Sequence, residues 1–121
     1  MSRGQAVNSL AGLRILIGVS SWAAPRSTGR LFGLDAQANP QAPYLTRLFG
    51  VRDVALGYGA LSTQGQARRV WLMTGLVCDL ADAAAGVAGG RDGYLPAVSS
   101  VLVSATALSA AALGAVALKD E

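Results

Sequence analysis

From Gly93 to Leu118 the chain runs without a charged residue, and the next charge after it is Lys119. That run exceeds the roughly 20 residues an α-helix needs to cross about 30 Å of hydrocarbon. Its apolar residues fall on every side of the helix, whereas a surface helix of a soluble protein keeps one polar stripe. The pattern predicts a membrane-spanning helix over residues 95–118.

Three earlier segments have spanning length but carry charge: about 6–24, 43–62 and 70–89. Each ends at breakers or charges, namely Pro25-Arg26, Asn39-Pro40-Gln41-Ala42-Pro43, Arg68-Arg69 and Gly89-Gly90-Arg91-Asp92-Gly93. Trp22, Tyr44, Trp71 and Tyr94 stand at the expected ends, where amphipathic rings prefer the headgroup level. These features predict an all-α fold, a four-helix transmembrane bundle forming one domain over residues 1–121, with a long polar loop at 25–42 and two short connections. At 52% hydrophobic and 14% charged residues the composition agrees. A cleaved signal peptide is the rival reading of the N-terminus. Arg14 counts against it, because it leaves only Ile15 to Val19 as an unbroken apolar core.

Charge at the centre of a span costs on the order of 2.5 to 3.5 kcal/mol on insertion scales, so each such residue needs a reason. Arg14 lies near the midpoint of the first segment, Arg52 and Asp53 at that of the second, and Asp79 and Asp82 straddle that of the third. Asp79 and Asp82, spaced i and i+3, share one helix face. Arg47 lies a turn from its helix start, and its long side chain can snorkel to the interface.

Two arginines against three aspartates leave one negative charge over. Two readings follow: the five residues form interhelical ion pairs that fix helix order, or the surplus carboxylate, Asp79 or Asp82, is where a proton or cation binds. Gly86 and Gly90, and the Ala107, Ala111 and Ala115 ridge, suit close helix packing. Ser100 and Ser104 are expected to bond back to the preceding turn.

The chain has no histidine, which excludes a Ser-His-Asp triad, an H-E-x-x-H zinc site and haem held by histidine. The single cysteine, Cys78, has no partner for a disulfide or a multi-cysteine zinc site and reads as a small buried hydrophobe. No enzymatic activity, cofactor or metal is therefore expected. The net charge of +3 comes from scattered arginines rather than a basic face, so no nucleic-acid partner is expected either.

The run Tyr44-Leu45-Thr46-Arg47-Leu48-Phe49-Gly50-Val51-Arg52-Asp53-Val54-Ala55-Leu56-Gly57, followed by Asp79-Leu80-Ala81-Asp82, resembles a small four-helix membrane-protein family of high-GC bacteria, a domain of unknown function. Its members share an R-x-x-G-x-R-[DE]-x-x-x-G segment in the second span. The resemblance implies four spans and adds no reaction. Small multidrug-resistance transporters are similar in length and helix number, but they place a glutamate in the first span where this chain has Arg14.

The expectation is a multi-pass protein of the bacterial cytoplasmic membrane whose partners are the lipid bilayer and a second copy or a larger membrane complex. The leading functional reading is an accessory or interaction protein locked by the Arg/Asp cluster. The alternative is a proton- or cation-coupled small-solute transporter acting as a homodimer. Arginines fall almost evenly on the two expected sides, so the positive-inside rule sets no orientation.

Overall fold

A computed structural model describes residues 1–119. The described chain folds into five helices: α1 (Arg3–Ala23), α2 (Pro25–Leu31), α3 (Ala42–Ser62), α4 (Gly65–Arg91) and α5 (Ala97–Ala117). Helix α1 opens on a capping box, in which the Ser2 hydroxyl accepts from the Gln5 backbone N–H at 3.1 Å and the Gln5 side chain accepts from the Ser2 N–H at 2.8 Å. Pro25 stands in the first turn of α2, where its missing N–H costs nothing.

Three helices, α1, α4 and α5, are long and apolar enough to cross a membrane. The expectation of four is corrected at α3. Every stretch of that helix long enough to span contains Arg47, Arg52 and Asp53 together, so its length suffices and its polarity sets it apart.

Two further expectations change. The segment 25–42 contains α2, which the polar run Pro25-Arg26-Ser27-Thr28-Gly29-Arg30 hides from a hydropathy reading. Helix α4 also extends beyond both expected ends. Arg68 and Arg69 lie in its first turns and cap neighbouring helices: Arg68 donates to the Ala60 carbonyl at 2.8 Å and Arg69 to the Leu118 carbonyl at 3.2 Å. Gly89 and Gly90 continue the helix instead of breaking it, since α5 packs where their side chains would be: a Cβ on Gly90 would come within 2.7 Å of the Ser100 Cβ. The chain turns after Asp92 at Gly93, whose φ of +85° favours a residue without a Cβ.

The four long helices stand in a ring, with α1 packed closely on α3, α4 on α5, and looser contacts joining α1 to α5 and α3 to α4. Close packing of α1 on α3 depends on glycine. A Cβ on Gly18 would lie 2.6 Å from the Gly50 carbonyl oxygen, and one on Gly50 would lie 2.8 Å from that of Gly18. Seven residues along, Gly57 faces the Ala11 carbonyl in the same way, so the two antiparallel backbones stay in near contact over two turns.

Side-chain size is distributed inside out relative to a soluble protein. The buried apolar residues are mainly alanines, including Ala6, Ala11, Ala60, Ala83, Ala110 and Ala111, whereas Leu16, Val19, Leu48, Val51, Val77, Leu80, Val98, Val101 and Leu108 face outward. Soluble monomers rarely leave so much contiguous apolar surface exposed. In lipid, where burying leucine between helices gains little, close contact between small residues drives association. Ala107 and Ala111 are buried as the ridge requires, but Ala115 is exposed, and Gly114 and Ala117 complete the packed face instead.

Replacing Gly18 with Val is expected to destabilise the protein by about 1 to 3 kcal/mol, the usual cost of overpacking. Gly12→Ala, at a site with nothing within 4 Å, should be neutral or stabilising. Reversible unfolding in mixed micelles measures both; equal effects at the two glycines would refute close α1–α3 packing.

Candidate functional site

Arg14, Asp53, Asp79 and Asp82 line one half-open cavity of about 270 Å³ between the long helices, and Arg52 stands beside them bound to Asp82. All five lie near the middles of their helices because each helix carries its charge about half way along.

The Arg14 guanidinium makes two parallel hydrogen bonds to Asp79, at 2.9 Å and 2.7 Å, and the side chains are only 6% and 4% exposed. This fork matches the carboxylate plane and is the strongest geometry available to an ion pair. Gly75, one turn before Asp79, makes room for it: a Cβ there would lie 2.6 Å from Arg14 Nη2. Arg52 makes the same fork to Asp82, at 3.1 Å and 2.5 Å, in a more open setting with side chains 34% and 28% exposed. The Phe49 ring lies 4.8 Å from the Arg52 guanidinium carbon and covers its face. One pair thus ties α1 to α4 and the other ties α3 to α4.

Asp53 is left over. Its side chain is 6% exposed, it accepts no hydrogen bond among the described residues, and its nearest cation is Arg52 at 3.8 Å. That separation is too long for a hydrogen bond, and both Arg52 terminal nitrogens already serve Asp82. Of the three carboxylates, Asp53 is the one outside a fork, whereas the sequence reading chose between Asp79 and Asp82. Sequence reasoning placed the five charges at one depth without assigning partners; the long stem of Arg52 carries its guanidinium across to Asp82 of α4.

Above this charged floor the cavity wall is apolar, formed by Leu13 and Ile17 of α1, Phe49 of α3 and Val103, Ala107 and Ala110 of α5. Toward the end where α1 finishes and α5 begins, Phe32, Leu34 and Leu95 close it. Phe32 packs against Phe49 with ring centroids 6.4 Å apart. Gly33, with φ +87°, lets this segment cross directly over Leu95 and Ser99. None of these residues was singled out from the sequence: Phe32 and Leu34 lie in a stretch that reads as loop, and Leu95 stands at the expected start of the last span. Thr106, the polar residue of α5 that lines the cavity at the depth of the charges, was also missed, although a lone hydroxyl at mid-helix was a usable signal.

The remaining polar residues have local roles. Arg47 is exposed at the helix end, donates to the Trp22 carbonyl at 3.3 Å and lies over the Trp22 ring, as snorkelling requires. Ser100 bonds across to the Gly86 carbonyl of α4 at 2.8 Å instead of back along its own helix, and Ser104 Oγ is buried without a partner among the described residues. Cys78 is half-buried, more open than the expected core position. Gly86 and Gly90 pack against α5 of the same chain.

Compared with protein-family models, with curated proteins and with solved structures, the chain matches none.

Arg14→Met should lower stability by about 3 to 5 kcal/mol, because it strands Asp79 as a buried lone charge. Adding Asp79→Leu should recover most of that loss. A double-mutant cycle on unfolding in micelles checks this, and additive losses would mean that the two residues do not act as a pair.

Proposed function

We propose that this chain is a four-helix transmembrane bundle of the bacterial cytoplasmic membrane, with α3 as the fourth span, and that it carries a small solute coupled to a proton or cation. The resemblance to the four-span family of high-GC bacteria belongs to the same proposal. The observation that carries it is Asp53: a carboxylate buried at mid-helix, without a hydrogen-bond donor from the described chain, on the wall of a cavity. Buried ionisable groups in membrane helices are expensive, and an uncompensated one is accounted for by binding.

In this reading the two ion pairs frame the site. Arg14 of α1 and Arg52 of α3 are the cations that face Asp53, Asp79 and Asp82 of α4 are the competing carboxylates, and α5 supplies no charge. No catalytic role is assigned to any of these residues.

The accessory or interaction reading is the second proposal. It is favoured by the two forked ion pairs, which lock α1 and α3 onto α4 and make a rigid unit that presents an apolar outer surface to partners.

Proton exchange separates the two. In purified protein in nanodiscs, adding candidate cations should release protons from the wild type and not from Asp53→Asn, with thermal stability preserved. An absence of release in the wild type, together with a stable Asp53→Asn variant, would leave the interaction reading in its place.

A further inference from the structure

We propose that the cavity takes a small organic monocation, a protonated amine with a compact apolar body, whose ammonium pairs with Asp53. This deepens and rests on the carrier reading above. Three features of the cavity select the chemistry.

Charge is the first. Arg14 and Arg52 bond Asp79 and Asp82 through two forks, and Asp53 stands 3.8 Å from Arg52 without a hydrogen bond, so two cations face three carboxylates and the site balances one further positive charge. An anion would meet an uncompensated carboxylate. A dication would bring a charge in excess, and its binding would pull Asp79 or Asp82 out of a fork.

Donor supply is the second feature. A bare metal ion needs a shell of several oxygens or other ligands, with six to eight for a cation such as calcium. No group of three or more histidine, cysteine, aspartate or glutamate residues among the described residues is disposed to hold a metal. An ammonium asks for less, since its three N–H groups are satisfied by one carboxylate and one or two hydroxyls or waters. Thr106 faces the same cavity from α5, and its hydroxyl makes no hydrogen bond among the described residues, so it can accept from an ammonium held by Asp53.

The third feature is the wall. Leu13, Ile17, Phe49, Val103 and Ala110 give the body of the ligand an apolar surround, and Phe32 closes it from the α2 side. The cavity volume of about 270 Å³ equals about nine waters at ~30 Å³ each, which suits an amine carrying one ring or a short branched chain. A neutral apolar molecule of that shape would fill the space but leave Asp53 unpaired.

The test uses full-length protein in nanodiscs with 2-phenylethylammonium, its neutral analogue 2-phenylethanol and its anionic analogue 3-phenylpropanoate, followed by calorimetry. The ammonium should bind about ten- to a hundredfold tighter than the alcohol, the margin of one charge-assisted hydrogen bond. The anion should not bind. Asp53→Asn should remove that margin and leave the affinity for the alcohol unchanged. Ala107→Leu keeps every charge and fills the cavity, so it should weaken both ligands and guards against a misfolded Asp53 variant. Equal binding of ammonium and alcohol, insensitive to Asp53→Asn, would overturn the ligand class while leaving a binding cavity. Proton release by sodium or potassium without preference for the ammonium would overturn it in favour of an inorganic cation, with the carrier reading intact. No binding of any probe and no proton exchange would overturn both.

Discussion

The fork between Arg14 and Asp79 is the constraint on which the rest of the structure depends. Each residue alone would be a charge buried in an apolar interior, and neither helix could hold its position without the other's contribution. The pair therefore sets both the rotation of α1 and its height against α4. Once α1 is placed, Gly18 and Gly57 set where α3 lies against it, and Arg52 on α3 meets Asp82 one turn from Asp79 on the same face of α4. Two forks on one face of α4 hold the α1–α3 pair against the α4–α5 pair at a single depth. Because the contacts joining the two pairs are looser than those within each, these polar links supply the specificity that packing there does not.

Small residues make this arrangement possible. A guanidinium and a carboxylate need room between backbones, and Gly75 supplies it at Arg14. Elsewhere, glycine and alanine bring backbones together, as at Gly18 with Gly50 and along Ala107, Ala110, Ala111 and Gly114. Most leucines and valines cover the outside, although Val7, Leu10, Leu56 and Leu72 are buried. The cavity lies between the two tight pairs, lined by residues of all four long helices.

Much of this was legible in the amino-acid order, and the parts that were not share one cause. Run length and breakers located the four long helices to within a few residues at most ends, and depth along those runs singled out Arg14, Arg52, Asp53, Asp79 and Asp82 before any contact was known. Pairing was not legible, because it depends on how each helix is rotated and on how far a side chain reaches. Depth alone left Arg52 free to meet Asp53, Asp79 or Asp82, and the reach of its stem carries its charge to Asp82. Breakers misled where tertiary packing overrode them: Gly89 and Gly90 read as the end of a helix, yet α5 lies against them and the helix continues to Arg91. The short helix α2 was hidden because seven mostly polar residues carry no apolar period, although Pro25 at its first turn was a legible start signal.

The cavity and the surplus charge are best understood as one feature. A void in a membrane protein's interior is tolerable when apolar, and a lone carboxylate is tolerable when solvated or paired, but a lone carboxylate on an apolar void is neither. Substituting Asp53 by an apolar residue of similar volume would remove the conflict without touching either fork, since both Arg52 terminal nitrogens are engaged by Asp82. The forks alone would satisfy a purely structural role, and Asp53 adds to them only a 3.8 Å ion pair with Arg52 and no hydrogen bond. Asp53 and Thr106 line the cavity together with the apolar side chains of Leu13, Ile17 and Phe49, so the space has both polar and apolar walls. An asymmetric space of that kind orients an amphipathic cation, and the segment that closes it belongs to the connection from α2 to α3 rather than to any of the four long helices.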